Sequence, residues 1–200
     1  LVTDMADASA PITLRELNLD GGYSDSRKVE NAVYLALQSW VDGDRSDVEE
    51  RLTAHNPCDR VYVPSDLDPE ENSSFISWDI VGVSLSNLSE EPEMVTVIGS
   101  YRSAVYATPE HFYLSNYFFE KESTGIYLFD LDPSKASVTP RSNAIVSGTI
   151  VNQFSMDETN GVFRIVSTRA AGWTADDPVL ETRNYLTTFR ANDGSLTRLG

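Results

Sequence analysis

Residues Asn152–Ser167, NQFSMDETNGVFRIVS, predict a strand, a polar tight turn and a second strand in succession. Two earlier stretches align with it without a gap: Tyr23–Gln38 (YSDSRKVENAVYLALQ) and Arg102–Tyr117 (RSAVYATPEHFYLSNY). The three copies share an apolar–aromatic pair at one position: Val33-Tyr34, Phe112-Tyr113 and Val162-Phe163. A unit that recurs along a chain predicts a stacked or radial array, with these aromatic rings packed between units.

Each hairpin is followed by two further strand-like segments, the second of which ends in glycine. These are FISWDIVGVSLS and MVTVIG after the first hairpin, GIYLFDLD and NAIVSG after the second, and NYLTTFRA and SLTRLG after the third. The stretch PSKASVTPRS separates the middle two and predicts a turn. Four strands in a unit of about 45 residues predict an all-β fold, a β-propeller of four-stranded antiparallel blades.

The spacing of these units divides residues 1–200 into parts of one propeller domain. The parts are the end of a blade (1–21), a blade with an insert at 41–73 (22–99), a second blade (100–148) and a third (149–200). Because propellers have about four blades or more, three and a half blades do not close a ring. We therefore expect the sequence to be a piece of a longer protein whose remaining blades complete the ring.

The insert predicts one short helix. Its segment DVEERLTAH follows Asp44 and Ser46, either of which suits an N-cap, and Asn56-Pro57 ends it. Cys58 lies just beyond this helix, and as the single cysteine it has no partner for a disulfide within the sequence.

The charge of the chain excludes some partners. It has 31 acidic and 15 basic residues, for a net charge of −16, which disfavours nucleic acid and anionic membrane surfaces. The acidity fits either an ordinary secreted protein or adaptation to high salt. No apolar run is long enough to span a membrane, and the stretch LVTDMADASAP has no signal-peptide pattern.

Several stretches resemble a family of secreted or surface-attached bacterial and archaeal proteins with a C-terminal β-propeller domain. They are NQFSMDETNGVFRIVSTR (152–169), LRELNLDGGYSDSRKVENAVYLAL (14–37), CDRVYVP (58–64), AVYATPEHFYLSNY (104–117) and IYLFDLD (126–132). The resemblance implies a protein of several hundred residues with a signal peptide or lipid anchor. It therefore implies an extracytoplasmic location: secreted, periplasmic or attached to the cell surface. It supplies no catalytic residues.

Six residues are candidates for ligand binding in the channel of the propeller. The innermost strands are predicted to include Ser24–Ser26, Arg102-Ser103 and Asn152-Gln153. Asp157 and Glu158 either stabilise the turn at Asn160-Gly161 and lock blades together or bind a ligand, with arginines as partners. The candidate set is Asn152, Gln153, Asp157, Glu158, Arg27 and Arg102.

Calcium is the one cofactor that the sequence suggests. The run DLDPEE places Asp66, Asp68, Glu70 and Glu71 close together, and carboxylate oxygens from loops are the ligands that calcium prefers. The run DLD at Asp130 and Asp132 is better explained as a strand end that enters an Asx-type turn.

No catalytic triad is evident. The chain has two histidines, His55 and His111, and the alignment predicts that His111 occupies a solvated turn where Ala32 and Gly161 stand in the other copies. The sequence therefore favours a non-enzymatic binding or scaffolding module for a protein, glycan or ion. The alternatives are an enzyme with a channel site completed by blades outside this sequence, and a calcium-dependent surface protein.

Overall fold

The fold is described from a computed structural model, which describes residues 1–42, 60–62, 74–100, 103–119, 121–172, 181–192 and 195–200. The predicted helix at 47–55 lies outside these residues. The described part of the chain is all-β, as predicted, with one 3-10 turn at Gln153–Ser155. Its strands are β1 (Val2–Asp4), β2 (Ile12–Arg15), β3 (Gly22–Val29), β4 (Ala32–Asp42), β5 (Val61–Tyr62), β6 (Ser74–Ser84), β7 (Glu93–Gly99), β8 (Ser103–Ala107), β9 (His111–Phe118), β10 (Ser123–Asp132), β11 (Ser137–Ser147), β12 (Met156–Thr159), β13 (Val162–Arg169), β14 (Arg183–Asn192) and β15 (Ser195–Arg198).

The strands form three larger sheets and one hairpin. Sheet 1 has the order β3-β4-β6-β7-β5, sheet 2 the order β8-β9-β10-β11, and sheet 3 the order β12-β13-β14-β15. Strands β1 and β2 pair with each other. The first strand of each larger sheet is an edge strand, and β3 lies against β8 while β8 lies against the 3-10 turn. This antiparallel meander is the strand arrangement of propeller blades.

Sheet 1 has one strand more than the four predicted for a blade. The added strand, β5, comes from the insert and pairs with the outer strand β7 in parallel, with Val61 beside Thr96. A sequence pattern does not predict this pairing, because β5 is two residues long and carries too little periodicity to identify as a strand. Its effect is to cover the outer edge of sheet 1.

The stretch PSKASVTPRS is only partly a turn. Strand β11 begins at Ser137, so the second half of this stretch pairs with β10. Pro140 is tolerated because β11 is an edge strand. The pairing shifts between Ser142 and Pro140, which leaves Arg141 as the extra residue of a β-bulge.

Sheet 2 lies between the other two sheets and buries both of its faces. The strand pleat directs Phe112 and Leu114 toward sheet 1, whereas Tyr113 between them faces sheet 3. Tyr113 stacks on Phe163 of sheet 3, with ring centroids 4.1 Å apart. Sheets 1 and 2 together bury a larger apolar set: Tyr34, Trp78, Ile80, Val97, Phe112, Leu114, Tyr127 and Phe129.

The far face of sheet 1 packs against the segment that follows β2. Leu37 and Val81 of sheet 1 are buried there, and Leu17 and Leu19 from the segment pack on them. Part of the outward face of sheet 1 is therefore covered by the segment that precedes β3.

Tyr34, Tyr113 and Phe163 are fully buried between sheets, as the repeat predicted. The ungapped alignment is nevertheless displaced by one residue in the third copy. The pairs that close the hairpins are Val29–Ala32, Thr108–His111 and Thr159–Val162, so Phe163 corresponds to Phe112. Because alternate residues of a strand face opposite ways, Tyr113 faces the next sheet and Phe163 faces the previous one.

Replacing Phe163 by alanine tests the importance of this stack. We expect Phe163→Ala to lower the free energy of unfolding by about 3–5 kcal/mol, because it leaves a cavity against Tyr113 and Phe189. Phe119→Ala is the matched control, since Phe119 is 83% exposed. Urea unfolding of the two variants measures the difference, and equal losses would contradict the role of the stack.

Candidate functional site

Arg27 joins the first strands of sheets 1 and 2. Its guanidinium donates to Asp25 Oδ1 (2.5 Å) and to the carbonyl oxygen of Ser26 (2.7 Å) within β3, and to the carbonyl oxygen of Val105 (2.6 Å) in β8. Two of its nitrogens thus have partners within the chain. The arrangement makes Arg27 a clamp between two sheets.

Asn152 and Gln153 are not in an innermost strand, and that prediction is wrong. Asn152 is the N-cap of the 3-10 turn, and its side-chain oxygen accepts a hydrogen bond from the Phe154 amide at 2.9 Å. An asparagine side chain competes well for nearby backbone amides, which is why the chain turns here before β12 begins at Met156. Gln153 follows the cap and is half-buried.

A groove of about 340 Å³ at the inner edge of the sheets brings Arg27 and Gln153 together. Tyr106 and Ala107 of β8 and Met156 form other parts of its wall, and the exposed side chain of Phe154 lies at its border. We refer to it as the inner-edge groove. It contains two of the six predicted ligand-binding residues.

Asp157 pairs with Arg164, which is directly opposite on β13 of the same hairpin. Arg164 also donates to Thr159 Oγ1 at 3.0 Å. The tight turn between them has positive φ angles at Asn160 (54°) and Gly161 (69°), as a two-residue hairpin turn requires. The arginine that Asp157 pairs with is thus a local one, and Asp157 supports its own hairpin.

Glu158 lies in the interface between sheets 2 and 3, with 7% of its side chain exposed. His111 Nδ1 is 2.9 Å from both carboxylate oxygens, and the Tyr113 hydroxyl donates to Oε2 at 3.0 Å. The Glu158 amide donates in turn to the Tyr106 hydroxyl at 3.0 Å. Three side chains of sheet 2 therefore hold one residue of sheet 3, which is a blade-locking arrangement.

Arg141 completes this cluster from the β-bulge in β11. Its Nη1 lies 2.7 Å from Asp130 Oδ1 and 3.1 Å from His111 Nε2. Because a guanidinium only donates, Nε2 is the acceptor, and Nδ1 carries the proton that is donated to Glu158. The bulge directs the Arg141 side chain toward His111 and Asp130, whereas regular strand pairing would direct it elsewhere.

The cluster alters the acid–base behaviour of two residues. Burial opposes ionisation of Glu158, but the hydrogen bonds from His111 and the Tyr113 hydroxyl and the charge of Arg141 outweigh it, so the pKa of Glu158 lies below its ordinary value. Burial, followed by the nearby Glu158 carboxylate, raises the pKa of Tyr113. Glu158 is thus held ionised and Tyr113 neutral.

The prediction that His111 lies at a solvated turn is wrong. Its side chain is 14% exposed and it begins strand β9. The hairpin pairing explains the error, because His111 corresponds to Val162 and to the buried Ala32, and not to Gly161. Neither the inner-edge groove nor the cleft described next includes His111.

A second cavity, of about 370 Å³, lies between sheets 1 and 2 and the segment that leads from sheet 2 to sheet 3. Ser24, Gln38 and Trp78 come from sheet 1, and Tyr117 belongs to the residues that sheet 2 contributes. The segment Thr149–Val151, between β11 and the 3-10 turn, closes the third side. We refer to this cavity as the polar cleft. Sequence reasoning missed it, apart from placing Ser24 near the channel.

The walls of the polar cleft are fixed by hydrogen bonds. Ser115 Oγ donates to the carbonyl oxygen of Ala104 and Thr124 Oγ1 to that of Gly148, at 3.0 and 2.7 Å. Gly148 has a φ of +81°, and a Cβ there would lie 2.4 Å from the carbonyl oxygen of Thr168. Only glycine therefore allows the chain to cross β13 and bring Thr149 into the wall.

Three polar side chains in the cleft remain available. Ser24 is the extra residue of a β-bulge in β3, which turns it toward the inner edge. Ser24, Gln38 and Tyr117 make no side-chain hydrogen bond to any residue that the structure describes. They are the groups that a ligand can reach.

The remaining predicted site residues lie outside the described residues. These are Arg102 and the calcium candidates Asp66, Asp68, Glu70 and Glu71. Calcium binding at these four acids stays a prediction. In the described ranges no group of three or more His, Cys, Asp or Glu residues is arranged to hold a metal ion.

Comparison with known families decides the classification. The β-propeller domain family matches residues 1–200. The chain belongs to the β-propeller domain family. Its three sheets are accordingly blades, and the clusters between them are blade interfaces. A search of curated proteins gave no match. Among the described residues, no helix has the length and apolar character needed to cross a membrane.

Glu158→Gln tests the polar cluster through its pH dependence. The folded-state pKa of Glu158 is below the ordinary value of 4.5, so its charge stabilises the blade interface above that pH. This stabilisation is lost as the pH falls through the lowered pKa. We expect Glu158→Gln to lose about 1–3 kcal/mol of unfolding free energy near neutral pH and to approach the wild type in acid.

Glu110→Gln is the matched control, because Glu110 is exposed in the turn between β8 and β9. Thermal melts of the wild type and both variants over a pH series measure the effect. If the stability difference between Glu158→Gln and the wild type does not shrink below about pH 4.5, the ionised cluster is not the source of the stabilisation.

Proposed function

We propose that this protein is an extracytoplasmic β-propeller module that binds a ligand without catalysing its conversion. The polar cleft carries the proposal, because it lies between two blades and the segment that leads to the third, and because it offers polar side chains that pair with no described residue. Its volume of about 370 Å³ is at the lower end of the 300–1,000 Å³ range of small-molecule sites. The ligand is a glycan or a short segment of a protein.

The chemistry of the cleft supports binding over catalysis. The described lining residues include no histidine, cysteine or carboxylate, so the groups that activate a nucleophile or transfer a proton are missing from this wall. The clustered His111, Glu158 and Arg141 belong instead to a blade interface, where each is saturated by its neighbours. Within the described residues, the cleft is suited to holding a neutral molecule.

The location and the further blades rest on sequence features. The extracytoplasmic location is supported by the resemblance to secreted and surface-attached proteins, and the acidic composition is compatible with it. We propose that another blade packs on the far face of sheet 3, where Val166 and Leu186 are exposed. Fractionation of the native host, followed by immunoblotting, tests the location, and recovery in the cytoplasm alone would contradict it.

Hydrogen–deuterium exchange with the complete protein tests the binding function. Two probe sets are used, neutral mono- and disaccharides and short peptides with blocked ends. We expect at least one probe to slow exchange in 149–151 and at the end of β9, where Tyr117 lies, and to be recovered unchanged. Protection confined to other regions would reject the cleft as the site, and conversion of the probe to a product would favour the enzyme.

A further inference from the structure

We propose that the ligand of the polar cleft is a neutral saccharide of one or two sugar rings. This inference rests on the proposed binding function and adds the chemical class of the ligand. Four observations carry it: the uncharged character of the described lining residues, the kind of side-chain groups available for hydrogen bonds, the apolar surfaces beside them, and the hydrogen bonds that the surrounding main chain already makes.

The described part of the lining is uncharged, in a protein that is otherwise rich in charge. Asp, Glu, Lys and Arg make up 23% of the sequence, and the net charge is −16. None of the ten described residues that line the polar cleft is charged. An ionic ligand would gain no counter-charge from the described lining residues, and an anion would also meet the negative field of the whole molecule. A neutral ligand does not encounter either problem.

The available side chains match a polyol. The hydroxyls of Ser24 and Tyr117 both donate and accept hydrogen bonds, and the Gln38 amide does the same through two different atoms. Sugar hydroxyls also need donors and acceptors side by side. Ser24 and Gln38 lie on one blade and Tyr117 on the next, so a ring between them is approached from two sides.

Apolar surface lies beside these polar groups. Ile150 and Val151 border the cleft, and Val151 is 83% exposed. Trp78 forms part of the wall, and its indole N–H is already donated to the carbonyl oxygen of Ser100 at 2.9 Å. Trp78 itself is buried, with 1% of its surface exposed, so Tyr117 is the aromatic residue among the described lining residues that can contact the C–H face of a sugar ring.

Main-chain groups around the cleft already make hydrogen bonds within the chain, which disfavours a peptide ligand. Peptides that bind beside sheets usually pair with an edge strand through main-chain hydrogen bonds. Here Thr149 exchanges both of its main-chain hydrogen bonds with Thr168, at 2.8 and 2.9 Å. The Val105 carbonyl on the edge of β8 accepts from Arg27, and the bulge at Ser24 interrupts the edge of β3. Recognition therefore falls to side chains.

Isothermal titration calorimetry with the complete protein tests the inference. The probes are mono- and disaccharides of glucose, galactose, mannose and N-acetylglucosamine, with glucuronic acid as the charged comparison and a blocked serine-glycine peptide as the alternative class. We expect at least one neutral saccharide to bind and glucuronic acid to bind more weakly than glucose.

Two variants and a matched control locate the site. Gln38→Leu and Tyr117→Phe each remove polar atoms from the cleft, and we expect either to weaken saccharide binding about 3- to 10-fold. Gln153→Leu makes the same change in the inner-edge groove and is expected to leave the affinity unchanged. Circular dichroism and melting temperature confirm that each variant is folded. If Gln38→Leu does not fold, a folded Tyr117→Phe variant still tests whether the polar cleft is the binding site.

The outcomes separate the inference from the proposed function. If the peptide binds, the saccharides do not, and Gln38→Leu weakens the peptide, then the binding function stands and the saccharide is rejected. If glucuronic acid binds as tightly as glucose, the requirement for a neutral ligand is rejected. If no probe binds, or if only Gln153→Leu affects binding, both proposals for the polar cleft are overturned.

Discussion

The structure depends on the burial of both faces of sheet 2. Its strands direct alternate apolar side chains into two interfaces, so that Phe112 packs on sheet 1 while Tyr113 stacks on Phe163 of sheet 3. Fully burying one such side chain stabilises the fold by about 1.5–3 kcal/mol, and both interfaces contain many. A single blade has little core within itself, so the packing of blades on one another supplies most of the stability.

The same packing determines where polar groups are placed. Glu158 lies at the border of an apolar interface, and His111 and Tyr113 are positioned by β9 to satisfy it. At the opposite end of the blades the interfaces separate, and the space between them is the polar cleft. The blade interface and the proposed binding site are thus two results of one arrangement, in which the sheets meet closely at one end and less closely at the other.

Two β-bulges position residues in the cluster around Glu158 and in the polar cleft. One bulge places Arg141 beside His111 and Asp130, and another turns Ser24 into the polar cleft. Neither bulge was predicted, because an extra residue in a strand leaves the average alternation of the sequence nearly unchanged. The β-propeller fold was predictable since four strands per unit recur, while the polar cleft was not, as its residues come from distant positions such as Gln38, Tyr117 and Thr149.

The all-β fold, the hairpins and the burial of Tyr34, Tyr113 and Phe163 follow from local sequence patterns, because alternation and turn residues act over short distances. The direction in which those three side chains face depends on how the sheets pack. One residue of offset in the third hairpin reverses the pleat, so Phe163 faces back toward Tyr113, and β12 of the same hairpin places Glu158 beside His111. The environment of a residue on a strand depends on register and on the neighbouring blade, which residues far away in the sequence supply.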